Sequence, residues 1–187
     1  SYDKILSSDI ILDLIKVLGC GLEIKGAKSK KLPEFNMQSL RWSKIIICTD
    51  ADEDGYQIRT LILTMLYRLV PSLIRAGRVY IAETPLYEIT TKDETLFAYS
   101  EREKEQLLQK LGNQKYTIQR SKGLGENDPD MMSRTTMHPA TRKLIRITPE
   151  DEQKTYEIFD ILLGDNLEGR KKFIAEKGPK YLALADV

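Results

Sequence analysis

Cysteine is almost absent. Cys20 and Cys48 are the only two in 187 residues, so no disulfide framework holds this chain, and Cys48, set in an apolar run, reads as a buried free thiol. Charge of one sign is missing as well. Lys and Arg number 29 against 28 Asp and Glu, a formal net charge of +1, and no global basic field announces a nucleic acid. No apolar run approaches the ~20 residues needed to span a bilayer, and neither a signal peptide nor a transit segment opens the chain. There is no initiator Met. The opening Ser1-Tyr2-Asp3-Lys4 already stands close to a helix start, so the sequence reads as a piece of a longer protein. What is present suffices for a folded domain: 41% hydrophobic residues build a core and 30% charged residues keep the surface wet, which excludes wholesale disorder. At roughly 100–200 residues per domain, the length allows one domain or two small ones. The expectation is a soluble, cytoplasmic, mixed α/β protein.

Ser8 is an N-cap candidate for a helix over 9–18, with Ile10, Ile11, Leu14, Ile15 and Leu18 on one face and Gly19 as its stop. Residues 23–41 are basic, carry Gly26 and Pro33, and read as a solvated loop, with a DNA-facing loop as the sharper alternative. The β-branched run from Lys44 to Thr49 predicts a strand covered on both faces, as in a parallel sheet. Ile58, Leu61, Ile62, Met65, Leu66 and Leu69 follow at helical spacing; a short helix over 72–77 and a strand from Val79 to Ala82 complete a βαβ unit. After Pro85 the pattern loosens. A hairpin turns at 92–94, Ser100 and Glu103 form a capping box for a helix to Leu111, and Tyr116 to Gln119 is a short strand. Asp128-Pro129 opens another helix, Lys143 to Ile147 is a last strand, and Thr148-Pro149-Glu150-Asp151 starts a helix to about Leu163, before a final helix from Asp165 to about Lys177.

The strongest local signal is Asp50-Ala51-Asp52-Glu53-Asp54-Gly55, directly after a predicted strand. Carboxylates crowded this closely repel one another, and a fold that gathers them generally places a cation between them. Oxygen-only ligands favour a hard ion, Mg²⁺ before Mn²⁺ or Ca²⁺. The end of a strand in an open α/β sheet is also where ligands bind. The bland alternative is an acidic cap on the following helix, which needs one carboxylate rather than three. The spacing imitates a calcium-binding EF-hand, but position 12 of such a loop requires a bidentate Glu and here it is Leu61. An aspartyl-phosphate phosphotransferase also ends a strand in Asp-x-Asp; it would want Gly-Thr next, where Glu53 and Asp54 stand, and it is kept as the alternative.

A longer stretch carries a resemblance. IIICTDADEDGYQIRTLILTMLYRLVPSLIRAGRVYIAETPLYEI closely resembles the toprim core of the B subunits of bacterial type IIA topoisomerases. LSSDIILDLIKVLGCG upstream, QRSKGLGENDPDMMSRTTMHPATRKLIRI downstream and FDILLGDNLEGRKKFI near the end extend the match in the family's order. The resemblance implies a Rossmann-like toprim domain, a parallel sheet flanked by helices, over residues 1–84 without its first strand. A smaller mixed α+β tail region would cover 85–187.

It also implies chemistry. In that family the toprim domain binds Mg²⁺ through a Glu on the first strand and an Asp-x-Asp-x-Asp cluster, which Asp50, Asp52 and Asp54 match, Asp50 and Asp52 being the closest ligands. The Glu belongs to an EGDSA-type segment that does not occur in this sequence, and neither Glu23 nor Glu34 takes its role. The implied reaction is reversible cleavage of double-stranded DNA by a Tyr of the A subunit, in an A2B2 heterotetramer whose ATP-binding module lies elsewhere in the parent. Lys122, in the KGLGE loop, would contact a phosphate, its two glycines allowing close backbone approach, with Arg120 as an auxiliary. Arg59 would meet a phosphate or pair with an Asp of the cluster. Tyr56 is expected on a helix surface and not as the nucleophile. Alone, the fragment is expected neither to cleave nor to supercoil DNA; a second alternative is a module that docks the A subunit without metal. His138, Trp42 and the arginines and lysines at 134, 142, 146, 170, 171 and 172 read as surface or subunit-contact residues.

Overall fold

The structure is a computed structural model that describes residues 5, 7–24, 32–121, 123–149 and 152–182. In chain order its elements are α1 (Asp9–Leu18), a 3₁₀ turn (Met37–Ser39), β1 (Ile45–Ile47), α2 (Glu53–Leu69), α3 (Pro71–Arg75), β2 (Val79–Ala82), β3 (Tyr87–Thr91), β4 (Thr95–Ala98), α4 (Glu101–Leu111) and β5 (Tyr116–Arg120). A 3₁₀ turn (Leu124–Glu126), α5 (Pro129–Met132), a π turn (Ser133–Met137), β6 (Leu144–Arg146), α6 (Glu152–Leu163), α7 (Leu167–Lys177) and a last 3₁₀ turn (Gly178–Lys180) follow. They group into two compact units built from separated stretches: Ser1–Ser43, Leu63–Arg78 and Ile147–Val187 in one, Lys44–Ile62 and Val79–Arg146 in the other. Among the described residues no helix is long and apolar enough to cross a membrane.

In the first unit α1 buries Leu12, Ile15 and Leu18, and Gly19, at φ 83°, ends it by donating its N–H to the Ile15 carbonyl. The expected face is therefore rotated. Ile10 is 83% exposed and Leu14 38%, while Leu12 goes inside. The arc centred on Ile15 runs through positions three apart on either side, and these are Leu12 and Leu18. Ser8 holds the N-cap position without a side-chain hydrogen bond. The C-terminal end of α2 and the short α3 supply Leu66, Leu69, Val70, Leu73 and Ile74, all buried. Glu23 fastens this corner, its two carboxylate oxygens accepting from the backbone N–H and the hydroxyl of Ser72 at 2.8 Å each. Tyr67 stacks on Phe159 with ring centroids 5.0 Å apart. Glu150 and Asp151, expected to start α6, lie outside the described residues, as do 25–31 of the basic loop.

The second unit contains two three-stranded sheets. In the first, ordered β1-β2-β6, β1 runs parallel to β2 in the register Ile45↔Val79, and the strand–helix–strand reading holds. Its third strand is antiparallel: β6, far along the chain, pairs Ile145 with Ile81. β2, in the middle, is covered, with Val79 and Ala82 at 0% exposure. β1 is outermost, so Ile45 and Ile46 are half-buried and not enclosed on both faces. The second sheet, ordered β4-β3-β5, is antiparallel throughout and contains the expected hairpin. The Ser100 hydroxyl accepts from the Glu103 N–H at 3.1 Å, and the Glu103 carboxylate returns to the N–H of Tyr99, one residue before the one a capping box uses. The two thiols reverse the expectation: Cys20 is the buried one and Cys48 is half-buried, both free.

Candidate functional site

Beyond Ile47 the chain leaves β1 and turns through the acidic loop into α2. Asp52 stands immediately before the helix and accepts the Gly55 N–H on Oδ1 at 2.7 Å, the bond of an N-cap. Glu53 and Asp54 occupy the first turn, where the positive end of the helix dipole favours carboxylates, and both are exposed. Gly55 is buried against the loop it closes. A Cβ there would stand 2.1 Å from the Asp50 carbonyl oxygen, so only glycine lets the first helical turn lie on this strand end.

Asp50 reaches in another direction. Its Oδ1 accepts the backbone N–H of Leu124 at 2.7 Å, joining the acidic loop to the KGLGE loop across 74 positions of sequence. Gly123 lies beside the same carboxylate, where an added Cβ would meet Oδ2 at 3.8 Å, an ordinary contact; around Gly125 a Cβ would meet nothing within 4 Å. Packing among the described residues thus demands neither glycine. Lys122 lies outside the described residues. Arg120 ends β5, across from Tyr87.

Among the described residues no group of three or more His, Cys, Asp and Glu side chains gathers closely enough to hold a metal ion. Asp50 and Asp52 each give one carboxylate oxygen to a backbone N–H. An all-oxygen set of this kind fits Mg²⁺, which keeps several waters and takes one or two protein carboxylates, better than a cation that needs a complete protein cage.

Arg59 lies nearly two turns into α2. It donates from Nη2 to the Thr49 hydroxyl at 3.3 Å, and the Tyr56 ring lies over its guanidinium at 5.0 Å. Its Nε is buried and bonds to nothing among the described residues, and no carboxylate among them pairs with it. The expected pairing with the acidic cluster is thus not formed among the described residues. Burial pushes the Cys48 thiol above its ordinary range, with the Arg59 charge opposing. Neither Thr49 nor Tyr56 was expected at this site, although the i, i+3 spacing of Tyr56 and Arg59 on one helix is visible in the sequence.

Other candidates hold local positions. His138 is exposed and accepts the Ala140 N–H on Nδ1. The Trp42 Nε1 donates to the Val17 carbonyl, Arg134 lies over the Phe97 ring, and Arg170 donates to the carbonyls of Ile161 and Gly164. A cavity of about 380 Å³, lined by Glu88, Gln119, Ser121, Asn127, Asp128 and Met131, contains none of the predicted site residues.

Residues 4–84, which contain the acidic strand-end loop and the parallel strand pair, match the family model of the Toprim domain. Residues 113–175 match that of the DNA gyrase B subunit, carboxyl terminus. The DNA gyrase B subunits of three organisms are similar: that of Clostridium acetobutylicum is 44% identical over 97% of this chain, that of Thermotoga maritima 42% over 98%, and that of Archaeoglobus fulgidus 40% over 91%. The chain belongs to the DNA gyrase B family of type IIA topoisomerases. It spans 28% of the length of the first two relatives and 25% of the third.

Proposed function

We propose that this chain supports DNA cleavage in a type IIA topoisomerase, as the Mg²⁺-binding part of the B subunit. Residues 1–84 are the toprim domain and 85–187 the tail region in this reading, and the site is cytoplasmic. The observation that carries it is the bond from the Leu124 N–H to the Asp50 carboxylate, which brings together two motifs distant in sequence at one strand end. Asp50 and Asp52 would hold the ion through their remaining oxygens, with Asp54 adding negative potential from the first turn of α2. Bound there, Mg²⁺ supplies charge stabilisation at the leaving 3′-oxygen and at a neighbouring phosphate while a Tyr of the A subunit forms the 5′-phosphotyrosine. Arg59, through its planar guanidinium, and Lys122, as a point charge, contact DNA phosphates and orient the backbone. Double-stranded DNA and the A subunit are the partners, in an A2B2 heterotetramer that hydrolyses ATP elsewhere in the parent. This chain alone neither cleaves nor supercoils DNA.

Soaking crystals of the chain in millimolar Mn²⁺ tests the reading. Anomalous density between Asp50 and Asp52 is the expected result. Its absence, both in this chain and in a longer one that includes the upstream acidic segment, would overturn the metal assignment in favour of a module that docks the A subunit without metal. The dispersal of the acidic side chains is the observation on that second reading's side.

A further inference from the structure

Arg59 presents a combination that internal packing leaves unexplained. A guanidinium is costly to remove from water unless it is paired, and buried polar atoms are nearly always bonded. Here Nε is buried without a partner, and among the described residues only the Thr49 hydroxyl receives a hydrogen bond from the side chain. The exposed ring of Tyr56, one helical turn earlier, stands beside it, with the cation over the ring at 5.0 Å. Thr49 is itself fixed: it is 6% exposed, and its carbonyl accepts the Thr84 hydroxyl at the end of β2. The guanidinium is thus held from two sides by groups that carry no negative charge. Its own charge stays available, and its planar fork is fixed before any anion arrives, which reduces the ordering cost of binding one.

We infer that Tyr56 is a positioning residue that, with Thr49, holds Arg59 oriented for a singly charged phosphodiester oxygen. The inference rests on the proposed contact between Arg59 and a DNA phosphate and goes beyond it by assigning the orientation to a ring that contacts no phosphate itself. Tyr56 acts through its face, so Phe can replace it and an aliphatic side chain cannot.

The test is an NMR titration of the ¹⁵N-labelled chain with dimethyl phosphate, following the Arg59 Nε–H resonance at constant ionic strength against a chloride control. Arg59 should respond saturably, Tyr56→Phe should titrate like the native chain, and Tyr56→Leu should bind about two- to fivefold more weakly. In Tyr56→Leu the ring-current displacement of the Nε–H resonance should also vanish before any phosphate is added while amide resonances distant from α2 keep their native positions, a combination that general destabilisation would not produce. Equal affinity in the native chain and Tyr56→Leu overturns the positioning role and leaves the Arg59 phosphate contact standing. No response of Arg59 in the native chain overturns that contact and this inference together.

Discussion

In the acidic loop glycine is sterically required, whereas in the loop that meets it neither glycine is. A Cβ on Gly55 would collide with the Asp50 carbonyl at 2.1 Å, one on Gly123 would rest at 3.8 Å from the Asp50 carboxylate, and one on Gly125 would touch nothing within 4 Å. A second contrast concerns charge. Among the described residues Asp50 and Asp52 accept backbone N–H groups alone, while Glu101, elsewhere in the same unit, is bonded by both Lys104 and the Tyr87 hydroxyl. Glycine is required where backbone crowds backbone, as at Gly55. Glu101 is thus held by a cation as well as by a hydroxyl, whereas the bonds to Asp50 and Asp52 among these residues come from backbone N–H groups. Over Gly125 no atom of the described residues stands within 4 Å of an added Cβ, room that a close-lying phosphate would use under the proposed function.

The largest expected effect tests the steric half of this contrast. Gly55→Ala must displace the backbone of Asp50, which is no flexible neighbour, and should lower the free energy of unfolding by about 1–3 kcal/mol. Gly125→Ala should stay within about 0.5 kcal/mol of the parent chain. Urea melts of the two variants decide it. Equal losses would mean that the KGLGE loop is packed as tightly as the acidic one, and the comparison would fall.

A smaller effect separates the structural role of Asp52 from its proposed metal role. As N-cap it accepts the Gly55 N–H, so Asp52→Ala should cost about 1 kcal/mol, while Asp52→Asn keeps a capping oxygen and should change stability by only a few tenths. In the reconstituted parent enzyme Asp52→Asn should nevertheless abolish Mg²⁺-dependent cleavage. Full cleavage by that variant would reduce the loop to a helix cap.

Much of this arrangement is legible in the sequence, and the portions that are not share a physical cause. The β-branched run at 45–47, the stop at Gly19, the cap at Ser100 and the Asp128-Pro129 start each depend on residues within one turn or one strand, and each appears where local chemistry puts it. The burial of α1 depends instead on which neighbours cover it, so Leu12 displaced Ile10 and Leu14 from the expected face. The pairing of β6 with β2 and the bond between Asp50 and Leu124 are long-range pairings that periodicity does not encode. For the KGLGE loop only the resemblance to a family linked the two motifs before the structure did. The stacking of Tyr56 on Arg59 is local and readable, but its meaning requires knowing that among the described residues no carboxylate pairs with the arginine.

The smallest effect concerns the carboxylate that does have its own cation. The Lys104 ammonium first, and then the Tyr87 hydroxyl, hold the Glu101 carboxyl below the usual carboxylate range. A carboxylate whose native pKa is depressed adds stability above its unfolded pKa, and that stability disappears as pH falls through the native value. Lys104→Met removes the larger cause. The variant should therefore be less stable than the parent chain at pH 7, and the difference should close as pH drops below about 4. The pair is largely solvent-exposed on the Glu101 side, at 61%, so the difference at pH 7 should not exceed about 0.5 kcal/mol. Thermal melts of both chains between pH 3 and 7 read it directly. A gap that persists at pH 3 would show that Lys104 acts through its packing over the Tyr87 ring rather than through charge, and Glu101 would no longer serve as the paired counterpart to the acidic loop.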